Sequence, residues 1–445
     1  MKVVLFDPSN RHWLYPFTLI RSLADLRKGI GTIRETWERL TAASPIVLTA
    51  SYLSDFGYSR SESTGHHSTS TGPHPQPTGS NPQPVGWGAP GPHPESTASS
   101  TLFINAALMP NVAVWAALKE LPPGQALFTE YTLVALCVGV NNGLLEHLSA
   151  CDQPPIGEPG CVHKDIAYLI SRGFHFHLNP LPIAADILMY PWQLIQWNDK
   201  ALRADFSLFT AGKITMPVPP GNQVIGAENI FIEEGARVSC SVLNAVTGPI
   251  YIGKNAEIME GCLIRGPLAM GEGAILKMGT KVYGATTLGP YSVAGGELKN
   301  VIMTGHSNKG HDGYLGDALL GEWCNLGAGT SNSNVRNNAT AVRVWNPGKG
   351  VYEIAGPKAG LLMGDYSRSA IQTAFNTGAV VGICCNIFGG GLCSGYVPDF
   401  SWGATRYEWE KVLRDIDNWK KLKGRTLTER EIQILRHIFE PSITE

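Results

Sequence analysis

The hydrophobic pattern of the carboxyl-terminal half repeats every six residues. From position 252, seven aliphatic side chains follow one another at this spacing, and the position four residues after each is small in six of the seven cases. A period of six fits neither an amphipathic helix nor an alternating strand. It predicts a parallel β-helix of triangular section, with one hexapeptide per side, the aliphatic residue inside and residues eighteen apart stacked. The aliphatic positions are Ile252, Ile258, Ile264, Met270, Leu276, Val282 and Leu288, with Ile232, Val238, Leu320 and Leu326 outside this run.

The amino-terminal half has a different pattern, in which short apolar runs alternate with amphipathic stretches. "KVVLF", "PIVLTASYL", "TLFINAALMP" and "ALFTEYTLVALCVGV" are typical of strands, and "YPWQLIQWNDKALRADFSLF" is typical of a helix. This alternation predicts an α/β domain over residues 1–210. Residues 57–100 contain almost no aliphatic side chains and predict a disordered insertion. We expect the β-helix to span residues 222–403 and a helical tail to span residues 404–445.

Composition limits the possible functions. The formal net charge of −2 offers no basic face for nucleic acid, and no run of eighteen apolar residues is present that would cross a membrane. The nine cysteines are scattered and none forms a C-x-x-C pair, so we expect a cytoplasmic protein without a metal site.

One polar stretch interrupts the hexapeptides. "GHSNKGHDGYLGD", residues 305–317, lies between Leu288 and Leu320, whose spacing of 32 is not a multiple of six. We therefore expect it to form a loop or a distorted rung at the edge of a coil. Histidine is the side chain best suited to general-base chemistry near neutral pH, which makes His311 a candidate base. Glu297, Lys299 and Lys309 lie close to it in sequence and could hold an anionic sugar phosphate or orient the imidazole. A corner histidine without a role is the alternative.

The stretch "ELKNVIMTGHSNKGHDGYLGDALLGEWCNLGAGT" resembles the left-handed β-helix half of the bifunctional N-acetylglucosamine-1-phosphate uridylyltransferases/glucosamine-1-phosphate acetyltransferases. It contains that family's E-x-K, H-x-x-Y-x-G-D-A and N-[IL]-G-A-G-T patterns. The resemblance implies acetyl-CoA-dependent acetylation of a sugar amine, an active homotrimer, and His311 as the base. The remaining implied roles are substrate binding by Glu297, Lys299, Tyr314 and Asn325, and acetyl-CoA binding by Ala328, Asn334 and Asp365.

Three positions depart from the family pattern. A second lysine after its N-Y-D-G segment is missing, its phosphate-binding arginine has no counterpart before Glu297, and Asp365 stands in place of a serine. Arg336 or Arg343 could supply the missing positive charge.

The amino-terminal half is similar to sugar-1-phosphate nucleotidyltransferases in "LYPFTLIRSLADLRKGI", where Arg21 and Arg27 are candidate nucleotide-binding residues. Their glycine-rich phosphate loop is replaced by "FDPSNRHW", and their metal-binding aspartate by Ala106 and Ala107. Mg²⁺ is therefore expected only if this domain is active.

Three hypotheses remain open at this point. The first is an acetyltransferase acting on a hexosamine phosphate or a nucleotide sugar. The second is a nucleotidyltransferase that forms a UDP- or dTDP-sugar and whose β-helix serves trimerisation or regulation. The third is a scaffold that has lost catalysis.

Overall fold

The computed structural model describes residues 1–54, 100–130, 132–140 and 142–440. The predicted insertion at 57–100 lies outside these ranges except for Ser100, which begins a strand. In chain order the described residues form an α/β domain, a parallel β-helix and two carboxyl-terminal helices, so the predicted fold class is confirmed. The α/β domain contains strands β1 (Lys2–Phe6), β2 (Arg27–Lys28), β3 (Gly31–Thr32), β4 (Ile46–Leu48), β5 (Ser100–Asn105), β6 (Gln125–Thr129), β7 (Thr132–Gly139) and β8 (His177–Pro180), and helices α1 (Ile33–Thr41), α2 (Val112–Leu118), α3 (Leu144–Ser149), α4 (Val162–Ser171), α5 (Pro191–Gln196) and α6 (Asn198–Thr210).

Six of these strands form one mixed sheet in the order β4-β1-β5-β7-β6-β8. Strand β1 is parallel to both β4 and β5, whereas β7 is antiparallel to β5 and β6. Side chains from both faces of the sheet enter hydrophobic clusters, which explains why the four residues after Lys2 in β1 are all apolar rather than alternating. Helix α1 begins at a capping box between Thr32 and Glu35.

The β-helix has three faces, and two long strands, β21 (Glu297–Gly305) and β23 (Tyr314–Glu322), each run across the third and first faces. The first face also contains β10 (Ile230–Ile232), β13 (Ile250–Ile252), β16 (Leu268–Met270), β19 (Thr286–Leu288), β28 (Leu362–Met363), β31 (Val380–Val381) and β34 (Tyr396–Val397). The second contains β11 (Arg237–Val238), β14 (Glu257–Ile258), β17 (Ile275–Leu276), β20 (Val293–Ala294), β22 (Asn308–Lys309), β24 (Asn325–Leu326), β29 (Arg368–Ser369), β32 (Asn386–Ile387) and β35 (Ser401–Trp402). The third contains β9 (Gln223–Ile225), β12 (Val242–Asn244), β15 (Leu263–Arg265), β18 (Lys281–Tyr283), β25 (Ser331–Asn332), β30 (Ala374–Phe375) and β33 (Leu392–Cys393).

The six-residue phase predicted from the sequence is the phase of the structure. Ile252, Met270 and Leu288 pair in register on the first face, each eighteen residues from the next. All seven aliphatic positions of the repeat are buried, and so are the seven corner positions that follow them.

The winding continues through residues 289–319, where the sequence predicted a break. Ala294 pairs with Lys309 fifteen residues on, and Leu298 pairs with Leu315 seventeen residues on. The corner from Ala294 to Leu298 is therefore two residues shorter than the corner from Lys309 to Leu315 directly below it. The polar stretch is thus part of a continuous coil. The spacing of 32 is four residues short of two regular coils: two are missing from the corner after Ala294, and one each between Leu298 and Met303 and between Leu315 and Leu320 in the long strands.

Other elements cover part of the β-helix. Helices α5 and α6 pack on its first face through clusters that include Trp192, Ile302, Phe209 and Tyr251. The carboxyl-terminal helices pack on the corner between the first and second faces, where the stacked rings of Tyr291, His306 and Trp323 lie. The carboxyl-terminal helices are α7 (Trp409–Lys421) and α8 (Glu429–Phe439).

Two further elements extend from the β-helix: a hairpin of β26 (Val342–Asn346) with β27 (Val351–Gly356), and the short strand β36 (Thr405–Arg406). Short 3-10 helices occur at Arg11–Leu14, Leu23–Asp25, Ser51–Leu53 and Ala227–Asn229.

Candidate functional site

His311 lies on the corner between the second and third faces, opposite the side that α5 and α6 cover. It follows β22 and precedes β23, and its side chain is exposed. The main chain beneath it is tightly packed, since a Cβ on Gly296 would lie 2.8 Å from the carbonyl oxygen of Gly313, and Gly296 has a φ of +77°. Glycine is therefore required under the histidine segment. No described side chain forms a hydrogen bond with the imidazole, which leaves both ring nitrogens available to a ligand.

Glu297 and Lys299 lie on the third face beside this corner. Glu297 pairs in register with Tyr314, and Lys299 pairs with Tyr283 of the preceding coil. The Tyr283 hydroxyl donates to Glu297 Oε1 at 2.5 Å, and this bond, followed by burial, raises the pKa of Tyr283 to about 12. Lys299 Nζ lies 5.9 Å from the centre of the Tyr283 ring. Tyr283 thus holds the two charged residues in fixed positions.

Tyr314 ends a chain of hydrogen bonds on the same face. Asn334 Nδ2 donates to the Tyr314 hydroxyl at 3.1 Å and also to Asp317, which accepts from Asn300 Nδ2 at 2.7 Å. Burial, and then the charge of Asp317, raises the pKa of Tyr314. Its hydroxyl therefore keeps its proton and can donate it to a ligand. Gly316 is needed here, because a Cβ would lie 2.2 Å from the Tyr314 hydroxyl.

Asn325 and Ala328 lie on the next coil. Asn325 pairs in register with Asn308 and accepts a hydrogen bond from its Nδ2 at 2.8 Å. Ala328 is half-buried at the same corner as His311, one coil further on. Tyr283, Asn300 and Asp317 were not identified from the sequence. Their signal was the stacking register: Tyr283 lies sixteen residues from the candidate Lys299, Asp317 lies seventeen from the candidate Asn334, and Asn300 lies seventeen from Asp317.

A polar groove lies beside Asn334, with a volume of about 520 Å³. Arg336 and Arg343 are both exposed, and the Arg343 guanidinium lies 5.1 Å from the centre of the Tyr352 ring. No acidic side chain is among the described residues that line it. The other lining residues are Ser333, Asn337, Asn338, Val342, Asn376 and Thr377.

The structure does not bring Arg21, Arg27 and Asp365 to this corner. Arg21 Nη2 lies 2.6 Å from Asp365 Oδ1, and both side chains are buried between the α/β domain and the β-helix. Arg27 is also buried and donates to the Thr304 carbonyl at 3.0 Å. In this arrangement the three residues join the domains and have no surface to offer a nucleotide or acetyl-CoA.

The segment that follows β1 is closed as well. Asp7 is fully buried and accepts from the Ser22 hydroxyl at 2.7 Å, the Leu23 amide at 3.0 Å and the Arg11 side chain at 3.2 Å. At the end of β5, the Asn105 amide donates to the carbonyls of Leu133 and Gly157. The donors to Asp7 occupy its carboxylate, and Asn105 offers an amide instead of a carboxylate, so these residues do not fit Mg²⁺. Among the residues that the structure describes, no group of three His, Cys, Asp or Glu side chains could hold a metal.

The β26–β27 hairpin packs on the same segment. Asn346 Nδ2 donates to the Trp13 carbonyl at 3.0 Å, and Lys349 Nζ lies 4.4 Å from the centre of the Trp13 ring. Gly348 touches the main chain of His12 so closely that a Cβ would lie 1.9 Å from its carbonyl oxygen. The hairpin tip thus packs against the segment that stands in place of the family's glycine-rich phosphate loop.

The fold is that of an α/β domain joined to a hexapeptide β-helix, and comparison with known proteins finds a family model and several relatives. Residues 3–214 match the family described as sugar nucleotidyl transferase. Three similar proteins are named bifunctional protein GlmU. The one from Methanocaldococcus jannaschii is 35% identical over 89 residues, which is 20% of this chain and 21% of that protein. Those from two strains of Methanococcus maripaludis are 30% identical over 240 residues and 29% identical over 193 residues, covering 54% and 43% of this chain and 51% and 40% of those proteins.

The resemblance inferred from the sequence motifs is confirmed by these matches. The chain spans about half or less of the length of the relatives it matches. In the part of the chain that the structure describes, no helix is both long and apolar enough to cross a membrane.

Proposed function

We propose that the protein is a cytoplasmic transferase of sugar-phosphate and nucleotide-sugar metabolism that moves an acetyl group from acetyl-CoA to the amine of a hexosamine phosphate or nucleotide sugar. The observation that carries the proposal is one uncovered corner of the β-helix. There, exposed His311 lies beside a third face on which Glu297 pairs with Tyr314, and Asn334 donates to Tyr314.

In the proposed reaction, His311 accepts a proton as the sugar amine attacks the thioester carbonyl. A carbon–nitrogen bond forms, the carbon–sulfur bond breaks, and the proton passes to the departing thiolate of coenzyme A. Lys299 and Tyr314 donate hydrogen bonds to the sugar phosphate. Glu297 accepts from the hydroxyls and amine of the sugar, and the Asn325 amide donates to its hydroxyls. Ala328 and Asn334 border the acetyl-CoA side.

The groove beside Asn334 supports an anionic ligand. Arg336 and Arg343 are exposed guanidinium groups, and asparagine amides surround them. Arginine binds phosphate through paired hydrogen bonds. We assign to this groove the phosphate contact for which the sequence offered no counterpart before Glu297.

The experiment incubates purified protein with a panel of hexosamine phosphates and nucleotide sugars plus acetyl-CoA and measures free thiol. Removal of a general base lowers turnover by roughly a hundred- to ten-thousand-fold, so His311→Ala should lose most of its kcat. His163→Ala is the matched control, because His163 is exposed on α4 with no role assigned. Acetyl transfer by His311→Ala at the wild-type rate would refute the assignment of the base.

Nucleotidyl transfer is the second candidate function, and the family match over residues 3–214 favours it. Against it stand the buried Asp7 and Arg11 and the docked hairpin tip. Incubation with sugar-1-phosphates, nucleoside triphosphates and Mg²⁺, with pyrophosphate as the readout, separates the two. If both assays gave no product with any substrate, the third hypothesis, a scaffold without catalysis, would be favoured.

A further inference from the structure

Lys309 occupies an inward position of the β-helix, where the repeat otherwise places aliphatic or small side chains. It lies on β22 in register with Ala294 and is 1% exposed. The small Ala294 leaves room for the long side chain. A lysine in this position is unexpected, because burial of an ammonium group is unfavourable unless hydrogen bonds compensate for the lost water.

The ammonium group finds its partners in the main chain. Lys309 Nζ donates to the carbonyl oxygen of His311 at 2.6 Å and to that of Gly295 at 3.2 Å. These two carbonyls belong to consecutive coils, the shortened corner and the corner that carries the candidate base. Asp312 is the nearby acidic group whose charge favours the ammonium form, although burial dominates and lowers the pKa of Lys309 to about 8.

We propose that Lys309 is a positioning residue for His311. Inside the β-helix, its ammonium group links the main chain of His311 to that of Gly295 in the preceding coil. This link fixes the main chain of His311 and therefore the direction in which the imidazole points. The exposed imidazole has no side-chain partner among the described residues, so its orientation depends on the main chain that carries it. The expected change in kcat rests on the proposed function, whereas the effect of Lys309 on the main chain of His311 does not.

The test replaces Lys309 by methionine, which has a similar length and suits an apolar interior. A displacement of about 1 Å in a catalytic group can cost a hundredfold in rate, so kcat should fall roughly ten- to hundredfold while KM for both substrates changes little. In a double-mutant cycle, Lys309→Met should add almost nothing to His311→Ala, because both act through one group. Lys254→Met, at an outward lysine with no side-chain partner assigned, should match the wild type.

A second measurement does not depend on activity. Hydrogen–deuterium exchange of the peptide covering residues 306–314 should become faster in Lys309→Met, whereas peptides from residues 250–290 should be unchanged. Should the methionine variant be insoluble, Lys309→Gln provides the same comparison.

Unchanged exchange together with unchanged kcat would overturn the proposal, since Lys309 would then only fill space. A double variant much slower than His311→Ala would also overturn it, because Lys309 would act through another group. If His311→Ala itself kept full acetyl transfer, the assignment of His311 as the base would fail, and the exchange result alone would show whether Lys309 holds the corner.

Discussion

Gly316 shows how one missing side chain positions a functional one. The Tyr314 ring folds over it, and a Cβ there would lie 2.2 Å from the Tyr314 hydroxyl. Since the ring is the part that can move, Gly316→Ala should leave the fold intact and displace the hydroxyl from Asn334. We expect kcat/KM for the sugar substrate to fall about tenfold, the usual cost of one lost hydrogen bond to a charged group. Gly139→Ala, where a Cβ would meet nothing within 4 Å, is the control; an unchanged kcat/KM in Gly316→Ala would contradict a role for Tyr314.

Asp165 gives a prediction about pH. It is buried on α4, accepts a hydrogen bond from the Gly157 amide at 2.8 Å, and burial raises its pKa to about 7. Because the folded-state pKa lies above the ordinary value near 4, the protonated carboxyl stabilises the fold. That contribution is complete below about pH 4 and is lost as the pH rises through 7.

Asp165→Asn keeps the acceptor and removes the charge. Its melting temperature should therefore exceed that of the wild type by several degrees above pH 7 and equal it at pH 4, as measured by calorimetry. Glu120→Gln, at an exposed carboxylate, should follow the wild-type curve. Equal melting temperatures for Asp165→Asn and wild type at pH 8 would show that the buried carboxylate is better solvated than its position suggests.

At the scale of the single coil, the inward ladder should not tolerate charge. Ile264→Asp or Leu276→Asp places a carboxylate at a position that is at most 2% exposed, and an unpaired buried charge costs several kcal/mol. We expect both variants to be insoluble or to melt far below the wild type. Glu260→Lys, on the exposed corner of the same coils, should be silent in both assays. Equal damage from all three variants would contradict the six-residue phase.

The coils also show where sequence reasoning succeeds and where it ends. Ile252, Met270 and Leu288 were predictable because one residue type at one spacing satisfies the same interior in every coil. The shortened corner after Ala294 could not be predicted. The spacing between Leu288 and Leu320 shows that residues are missing from two coils, but it does not show at which corner they are missing. The motif placed His311 and Tyr314 together, but the docking of Arg21 on Asp365 depends on how two domains meet, and no local pattern encodes that contact.

For the whole molecule, the family resemblance implies a homotrimer, and exposed apolar side chains mark an edge on which its subunits would meet. Leu263, Met278, Ile371 and Leu392 are between 52% and 71% exposed and flank the His311 corner before and after it in the stack. An exposed apolar strip of this kind marks an interface. A neighbouring subunit on this edge would border the candidate site.

Light scattering should therefore give three times the mass of the chain at micromolar concentration. Met278→Lys with Ile371→Lys should lower that mass and the acetyl-transfer rate together. Ile214→Lys is the control, because Ile214 is 92% exposed in the connection between the domains, away from this edge. A monomeric wild-type protein would refute the trimer.

The packing of α5 and α6 on the first face has a consequence for how the chain is made. Trp192, Leu194 and Ile195 leave the ribosome before the strands that bury them, and the last of these strands in the shared cluster contains Val380. Until those strands have been synthesised, the α/β domain exposes the apolar surface that the β-helix will cover. A nascent chain stalled before residue 380 would be a substrate for chaperones. For the same reason, replacing either half by that of another protein should leave apolar surface of the shared cluster uncovered.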